Sequence, residues 1–204
     1  MRIEIPHNKT IGVVVSGGFD SSIMWHIIYG ECLTRNQKCI PFTVPKVDGA
    51  LTYATKMLEG SCNHYGTKQL HPIVVHADSV DWNRDEPYQG DEVAAQLMGG
   101  IREIILDGYA DIVYTGVNAY PDNYKTLCSY HEGTPIKDII RQPFADMTKD
   151  EIVTLAYSLG ILEGISEVSH SCVEMIRGRC GECFWCKERE QGFAVAGHID
   201  NGIN

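Results

Sequence analysis

The sequence predicts an α/β protein: a doubly wound parallel sheet followed by a cysteine-rich segment near the C-terminus. Two observations predict this class. Short apolar runs of strand type alternate with longer runs of helical periodicity, which is typical of parallel sheets with helices on both faces. Four clustered cysteines then form a separate motif. We expect residues 1–165 to form the α/β domain and residues 166–204 to pack on it.

The predicted elements alternate along the chain. A late helix begins after Thr148, the N-cap of a capping box that Glu151 completes, and it ends at Gly160. In parallel sheets with right-handed crossovers, ligands lie beyond the carboxyl ends of the strands. We therefore expect a site at that edge of the sheet. The other predicted strands are residues 10–15, 39–44, 72–76 and 111–116, and the other helices are residues 21–32, 50–62 and 91–106.

The first strand leads into the strongest motif, residues 16–22, which read Ser-Gly-Gly-Phe-Asp-Ser-Ser. Glycines let a backbone approach an anion closely, and the first free N–H groups of the following helix point at it. The motif is not a Walker loop, which needs four residues between its glycines and a Lys before the Ser or Thr. It predicts a nucleotide-phosphate site, with a plain strand-to-helix turn as the alternative.

Other polar residues follow strands at the same edge. The acid-rich residues 76–86 could help to hold Mg²⁺ or form a solvated loop, and the tyrosines of residues 118–124 could stack on a base or simply pack. Lys149 lies in the first turn of a helix, where a cation opposes the helix dipole. An anionic ligand would explain this position, and a surface lysine is the alternative.

The cysteine cluster is the second strong motif. Four thiolates complete a tetrahedral shell around Zn²⁺, which makes a structural metal site. An iron–sulfur cluster is the competitor, although the ferredoxin spacing is missing, and a site without metal is the third alternative. Flanking cations, Arg177, Arg179, Lys187 and Arg189, would offset the charge of the thiolates. The cluster consists of Cys172, Cys180, Cys183 and Cys186, whereas Cys32, Cys39, Cys62 and Cys128 are interpreted as small buried residues.

The composition of the chain restricts the classes of function that it fits. The formal net charge of −10 argues against a broad nucleic-acid surface, and small-molecule substrates fit better. Apolar and charged fractions of 44% and 22% are those of a globular core. No apolar stretch has the length of a signal peptide or a membrane span. We therefore expect a cytoplasmic protein with reduced thiols and no membrane partner.

Together the two motifs resemble one family. Residues 16–21 resemble the SGGxDS loop of the N-type ATP pyrophosphatases, the PP-loop superfamily. The C-terminal third resembles the QueC family of 7-cyano-7-deazaguanine synthases. The resemblance covers the first 30 residues and most of 108–200, but the middle departs at residues 43–49 and 88–91, where the family usually has Tyr-Gly-Gln and Pro-x-Arg-Asn stretches. The matching C-terminal segments are residues 143–144, 149–153, 171–172, 180–186, 191–197 and Asp200, with residues 111–118 resembling the family's strand and Gly-Val-Asn turn.

The resemblance implies a Rossmann-like sheet of the adenine nucleotide alpha hydrolase type with a zinc knuckle. It implies that ATP activates 7-carboxy-7-deazaguanine as an adenylate, that ammonia gives an amide, and that a second adenylation gives the nitrile. Asp20, Ser16 and Lys149 would be catalytic: Asp20 orients the loop or holds Mg²⁺, and Lys149 reaches the phosphates. The nucleotide-binding residues would be Val15, Ser16, Gly17, Gly18, Phe19, Asp20, Ser21, Ser22, Thr43, Gly116 and Asn118.

The implied partners are therefore small molecules, with no stable nucleic-acid partner and with a homodimer as the family's common assembly. Two other functions stay open. The chain could be another PP-loop enzyme that amidates or thiolates a different acceptor, in which case Cys128 is placed to carry a persulfide. It could also be a non-catalytic nucleotide-binding homologue whose divergent middle has lost the acceptor pocket.

Overall fold

A computed structural model of the protein describes residues 3–45, 49–75, 92–119 and 139–202. In the third of these ranges, side chains are described from residue 99 onward. The described residues form a five-stranded sheet in the order β3-β2-β1-β4-β5, and every strand pair is parallel. The strands are β1 (Ile11–Val14), β2 (Cys39–Thr43), β3 (Ile73–Val74), β4 (Ile112–Tyr114) and β5 (Ile140–Arg141). The helices are α1 (Phe19–Thr34), α2 (Ala50–Tyr65), α3 (Glu92–Leu106), α4 (Lys149–Ser158), α5 (Leu162–Val168) and α6 (Phe184–Ala196).

Strand β1 is the centre of the sheet and is buried on both faces. Its side chains alternate, so that Val13 joins the larger apolar core and Val14 joins the smaller one. The larger core includes residues of α1, α2, α4, α5 and α6, whereas the smaller one includes residues of α3. Helices therefore cover both faces, and the predicted doubly wound parallel sheet is confirmed. The strand order reverses at β1, which makes the β1–β4 boundary the switch point where such sheets bind ligands.

Most predicted elements are present with shifted ends. Helix α1 begins at Phe19 rather than Ser21, and α2 continues to Tyr65. The predicted strand 72–76 is reduced to the two residues of β3 at the edge of the sheet. The capping box of α4 is confirmed, because the backbone N–H of Thr148 donates to the Glu151 carboxylate at 2.9 Å. Strand β5 and helices α5 and α6 were not predicted.

Several predictions lie outside the described residues: those for residues 76–86 and for Cys128, and most of those for 118–124. The scattered cysteines that are described are free thiols, with Cys32 and Cys62 buried and Cys39 partly buried. Within the described residues, no helix combines the length and the apolar character needed to cross a membrane.

Helices α1 and α2 meet at an aromatic contact around His26, which is only 8% exposed. The Tyr65 hydroxyl donates to the backbone carbonyl of His26 at 3.0 Å, and the ring of His64 lies 4.7 Å from that of His26. Burial lowers the pKa of His26 to about 4, and the charge of His64 adds to the effect. The folded protein therefore favours neutral His26.

We expect the free energy of unfolding to decrease as the pH falls from 6.5 towards 4, because only the unfolded chain takes up a proton on His26 in that window. The contribution of neutral His26 to the free energy of unfolding is fully present above pH 6.5. Urea unfolding should show a loss of about 2 kcal/mol from this residue between pH 7 and pH 5. His26→Gln should remove that part of the slope, whereas replacement of the exposed His7 should keep it. Equal slopes for His26→Gln and the unmodified protein would contradict the assignment.

Candidate active site

The SGG loop, residues 15–18, connects β1 to α1 at the switch point of the sheet. Strand pairing continues into it, because the N–H of Val15 donates to the Phe42 carbonyl at 2.8 Å. Gly17 has a φ of +77°, and an added Cβ would lie 2.6 Å from the backbone nitrogen of Ala54. Only glycine fits this position. Gly18 is the N-cap of α1, so that the free N–H groups of the helix lie at the end of the loop.

Serine hydroxyls close the loop on itself. The Ser16 and Ser21 hydroxyl oxygens lie 3.0 Å apart, and the backbone N–H of Ser16 donates to Ser21 Oγ at 3.2 Å. Ser22 is fully buried, and its hydroxyl donates to the Gly18 carbonyl at 2.6 Å. These bonds hold the turn in one shape, and Ser22 lies inside it.

The strand ends on both sides support the loop. The fully buried Thr43, at the end of β2, donates its hydroxyl to the Val15 carbonyl at 2.7 Å. On the other side, Gly116 follows β4, and an added Cβ there would lie 2.6 Å from both Cα and N of Ser21. Two residues predicted at the site therefore touch the loop region itself.

Lys149 lies at the centre of a buried charged network and is only 6% exposed. Its ammonium forms an ion pair with Asp20, in the first turn of α1, and lies 3.1 Å from Glu188 Oε2 of α6. The Asn118 amide donates to Glu188 Oε1 at 2.6 Å. The network thus joins α1, α4, α6 and the segment after β4. Because Lys149 is buried and paired, the surface-lysine alternative is wrong.

The network contains two carboxylates and one ammonium, which leaves an excess of negative charge. Burial raises the pKa of Glu188, while the Lys149 ammonium and the Asn118 hydrogen bond oppose that shift. Asp20 Oδ1 is buried and has no hydrogen-bond partner among the described residues. A buried acceptor without a partner is costly, so this atom is suited to a cation or a donor from a ligand.

Glu188 is the site residue that sequence reasoning missed. It lies in the charged run of residues 187–190, which reads as a solvated helix face. The available signal is Gly192, one helical turn later on the same side of α6. An added Cβ at Gly192 would overlap the Lys149 side chain and lie 2.7 Å from Lys149 Cβ. The glycine thus admits the lysine that Glu188 contacts.

The four predicted metal ligands come together. The sulfurs of Cys172, Cys180, Cys183 and Cys186 all lie within 4.8 Å of one another, and those of Cys180 and Cys186 are 3.9 Å apart. A tetrahedral zinc site with Zn–S bonds of about 2.3 Å requires sulfurs about 3.8 Å apart. All four cysteines are free thiols. The donor set and its spacing therefore fit one tetrahedral metal ion.

Local structure favours thiolate at one edge of this cluster. The N–H of Cys183 donates to Cys180 Sγ at 3.2 Å, and the backbone hydrogen bonds from Cys183 and Glu182 lower the pKa of Cys180 to about 7. Burial instead raises the pKa of Cys186 to about 12. Two of the cations expected to offset the cluster's charge have another partner: Arg179 and Arg189 both pair with Asp200.

The fold and the SGG loop define an α/β domain of the PP-loop type. The chain superposes on the U34-tRNA thiolase NcsA from Methanococcus maripaludis, a structure described with its [4Fe-4S] cluster, with a TM-score of 0.50. The alignment covers 93% of this chain and 66% of NcsA at 16% sequence identity. A likeness at this identity shows the shared fold.

The family follows from sequence. The model of the family described as "Queuosine biosynthesis protein QueC" matches residues 91–197, and this chain belongs to that family. A 7-cyano-7-deazaguanine synthase from Nitratiruptor sp. is 37% identical over 103 residues, which are 45% of this chain and 46% of that protein. The corresponding protein of Laribacter hongkongensis is 32% identical over 110 residues, 52% of this chain and 46% of that protein. The chain spans about half the length of the curated relatives it matches.

We expect Gly192→Ala to destabilise the protein by about 1–3 kcal/mol, because the new methyl group overlaps Lys149 in a closely packed site. Urea unfolding measures the change. Gly60→Ala is the matched control, since Gly60 is also helical and an added Cβ meets no atom within 4 Å. That control should be neutral or slightly stabilising. Equal effects of the two substitutions would show that α4 and α6 do not pack through Gly192.

Proposed function

We propose that this chain is an ATP-dependent ligase that converts 7-carboxy-7-deazaguanine and ammonia into 7-cyano-7-deazaguanine. The observation that carries the proposal is the buried Lys149 ammonium, held against Asp20 at the start of α1, directly after the SGG loop. The free N–H groups at the start of a helix, beside a cation, are suited to the phosphates of a nucleotide. The acceptor is proposed from the names of the two relatives described above, both of which are called 7-cyano-7-deazaguanine synthase.

The proposed reaction uses adenylation twice. The substrate carboxylate attacks the α-phosphorus of ATP, pyrophosphate leaves, and ammonia then displaces AMP to give the amide. The amide oxygen is adenylated by a second ATP, and loss of AMP with two protons leaves the nitrile. Each adenylation converts a poor leaving oxygen into a good one, so that catalysis depends on neutralising the departing pyrophosphate.

The described residues suggest a division of roles. The backbone N–H groups of Gly17 and of the first turn of α1 would donate to the phosphate oxygens, since those of Val15, Ser16 and Gly18 donate within the protein. The hydroxyls of Ser16 and Ser21 would lie beside them. Lys149 would act as a point charge on the phosphates. Because the Ser22 hydroxyl is buried against Gly18, we assign Ser22 to shaping the loop rather than to phosphate contact.

Three further residues are proposed to act through neighbours. Thr43 would hold the end of β1, Gly116 would admit α1, and Asn118 would orient Glu188. Asp20 Oδ1, buried without a hydrogen-bond partner among the described residues, would contact the Mg²⁺ that accompanies ATP. Bound there, Mg²⁺ would supply additional neutralising charge for the phosphates.

The activity assay combines ATP, ammonia and 7-carboxy-7-deazaguanine, with detection of the nitrile by mass. We expect nitrile and AMP from the unmodified protein, and a decrease in turnover of at least about 100-fold in Asp20→Asn. Asp107→Asn, at an exposed aspartate outside the site, should retain full turnover. If AMP forms only with another acceptor, the chain is still an ATP-cleaving enzyme, but the proposed substrate is rejected. No binding of ATP at all would reject the catalytic function.

We propose that the four-cysteine cluster binds structural Zn²⁺ and that residues 166–204 form one folding unit with residues 1–165. The supporting contacts run along α6: Phe193 belongs to the main apolar core, and Gly192 packs on Lys149 of α4. A closed shell of four thiolates leaves no open position for substrate. The metal would therefore hold one wall of the site in place.

Elemental analysis of the purified protein should give about one zinc per chain, as expected for a four-thiolate shell. Cys183→Ser should lose the metal and unfold more readily, because metal binding and folding are coupled at such sites. Cys62→Ser changes a buried cysteine outside the cluster and should keep the metal. Iron with visible absorbance would instead indicate an iron–sulfur cluster.

A further inference from the structure

Arg189 is the most completely engaged polar side chain of α6, and it is only 1% exposed. A guanidinium carries five N–H donors. Two of them meet the Asp200 carboxylate, at 2.9 Å from Nε and 2.9 Å from Nη2. The other three reach the Ser166 carbonyl at 2.8 Å, the Ser169 carbonyl at 3.1 Å and the Ser171 hydroxyl at 3.2 Å. Every donor is used inside the protein, so none is available for a phosphate.

Two of these acceptors lie in residues 169–171, which we call the strap. The strap follows α5, precedes the cluster cysteine Cys172, and touches the SGG loop directly. The backbone N–H of His170 donates to the Gly17 carbonyl at 2.9 Å. The His170 ring stacks on Tyr53, with ring centroids 4.3 Å apart, beside the position where Gly17 contacts α2.

The planar guanidinium of Arg189 also packs against aromatic rings, one of them at the start of α1. Its guanidinium carbon lies 5.3 Å from the ring centre of Phe19, the first residue of α1, and 5.6 Å from that of Phe193. Burial acts to raise the pKa of Asp200, but the hydrogen bonds and charge of Arg189 outweigh it and lower that pKa. The Arg189–Asp200 pair is therefore charged on both sides and anchors the guanidinium plane.

We propose that Arg189 is a positioning residue for the SGG loop, acting through the strap and through Phe19 rather than by touching the nucleotide. This inference rests on the proposed function, in which the loop binds ATP. Arg179 supplies a natural contrast. It also pairs with Asp200, at 2.6 Å, but the described contacts connect only Arg189 to the strap.

The first test compares Arg189→Lys with the matched change Arg179→Lys. Lysine has three N–H donors on a single nitrogen and lacks the planar guanidinium, so it cannot bind the strap, Ser166 and Asp200 at the same time. For Arg189→Lys we expect the Kd of Mg-ATP and the KM for ATP to rise at least about tenfold. The kcat at saturating ATP should stay within about threefold, because bound ATP reorders the loop. Arg179→Lys should leave both constants within about twofold.

The second test isolates the backbone bond and is valid even if Arg189→Lys fails to fold. His170→Pro removes the N–H that reaches Gly17, whereas His170→Ala removes only the ring. Ser169 has φ −79° and ψ 145°, a conformation that suits a residue before proline. We expect Mg-ATP to bind His170→Pro at least about tenfold more weakly than His170→Ala.

Equal Mg-ATP affinities of the two His170 variants would overturn the positioning role. Equal increases in the Kd of Mg-ATP for Arg189→Lys and Arg179→Lys would also overturn it, because both variants disturb Asp200 and the weaker binding would then depend on Asp200 alone. If the unmodified protein binds no Mg-ATP, the proposed function itself fails, and the failure is distinct from the other two results.

Discussion

The site depends on one electrostatic constraint: a buried ammonium must be paired. Lys149 lies in the first turn of α4, where the helix dipole opposes a cation, and its charge is compensated by Asp20 and Glu188. Removing one partner of such a pair leaves a charge in a poorly solvated place, which is strongly unfavourable. Helices α1, α4 and α6 must therefore meet at one point, and Gly192 makes the approach possible.

Much of the fold could be predicted from the sequence because its signals are local. The alternation of β1 side chains between two cores follows from strand periodicity. The beginning of α4 follows from the capping box, and its end follows from Gly160. The SGG loop and the four cysteines were found in the same way, since their spacing within a few residues carries the chemistry. The four cysteine sulfurs meet as predicted because three of them lie within one turn and a helix start.

The remainder of the site depends on contacts between distant parts of the chain. Glu188 and Arg189 appear within a run of alternating charges that resembles a solvent-exposed face. One of them contacts Lys149 and the other is enclosed by residues 166–171 and Asp200, and neither partner is a sequence neighbour. Arg189 was interpreted as a countercharge for the thiolates, whereas its N–H groups donate to the strap, to the Ser166 carbonyl and to Asp200. Local pattern can identify a charged residue, but it cannot identify its partner.

The positions of the partners along the chain have a consequence for how the protein is made. Asp20 emerges from the ribosome long before Lys149, which is separated from it by 129 residues, and Asn118 precedes Glu188 by 70 residues. Closing such long loops costs entropy before any contact compensates for it, so contacts of this kind form late. A nascent chain that carries the complete SGG loop would therefore still lack the site. The network around Lys149 would be complete only when α6 docks on α1 and α4, because α6 supplies Glu188.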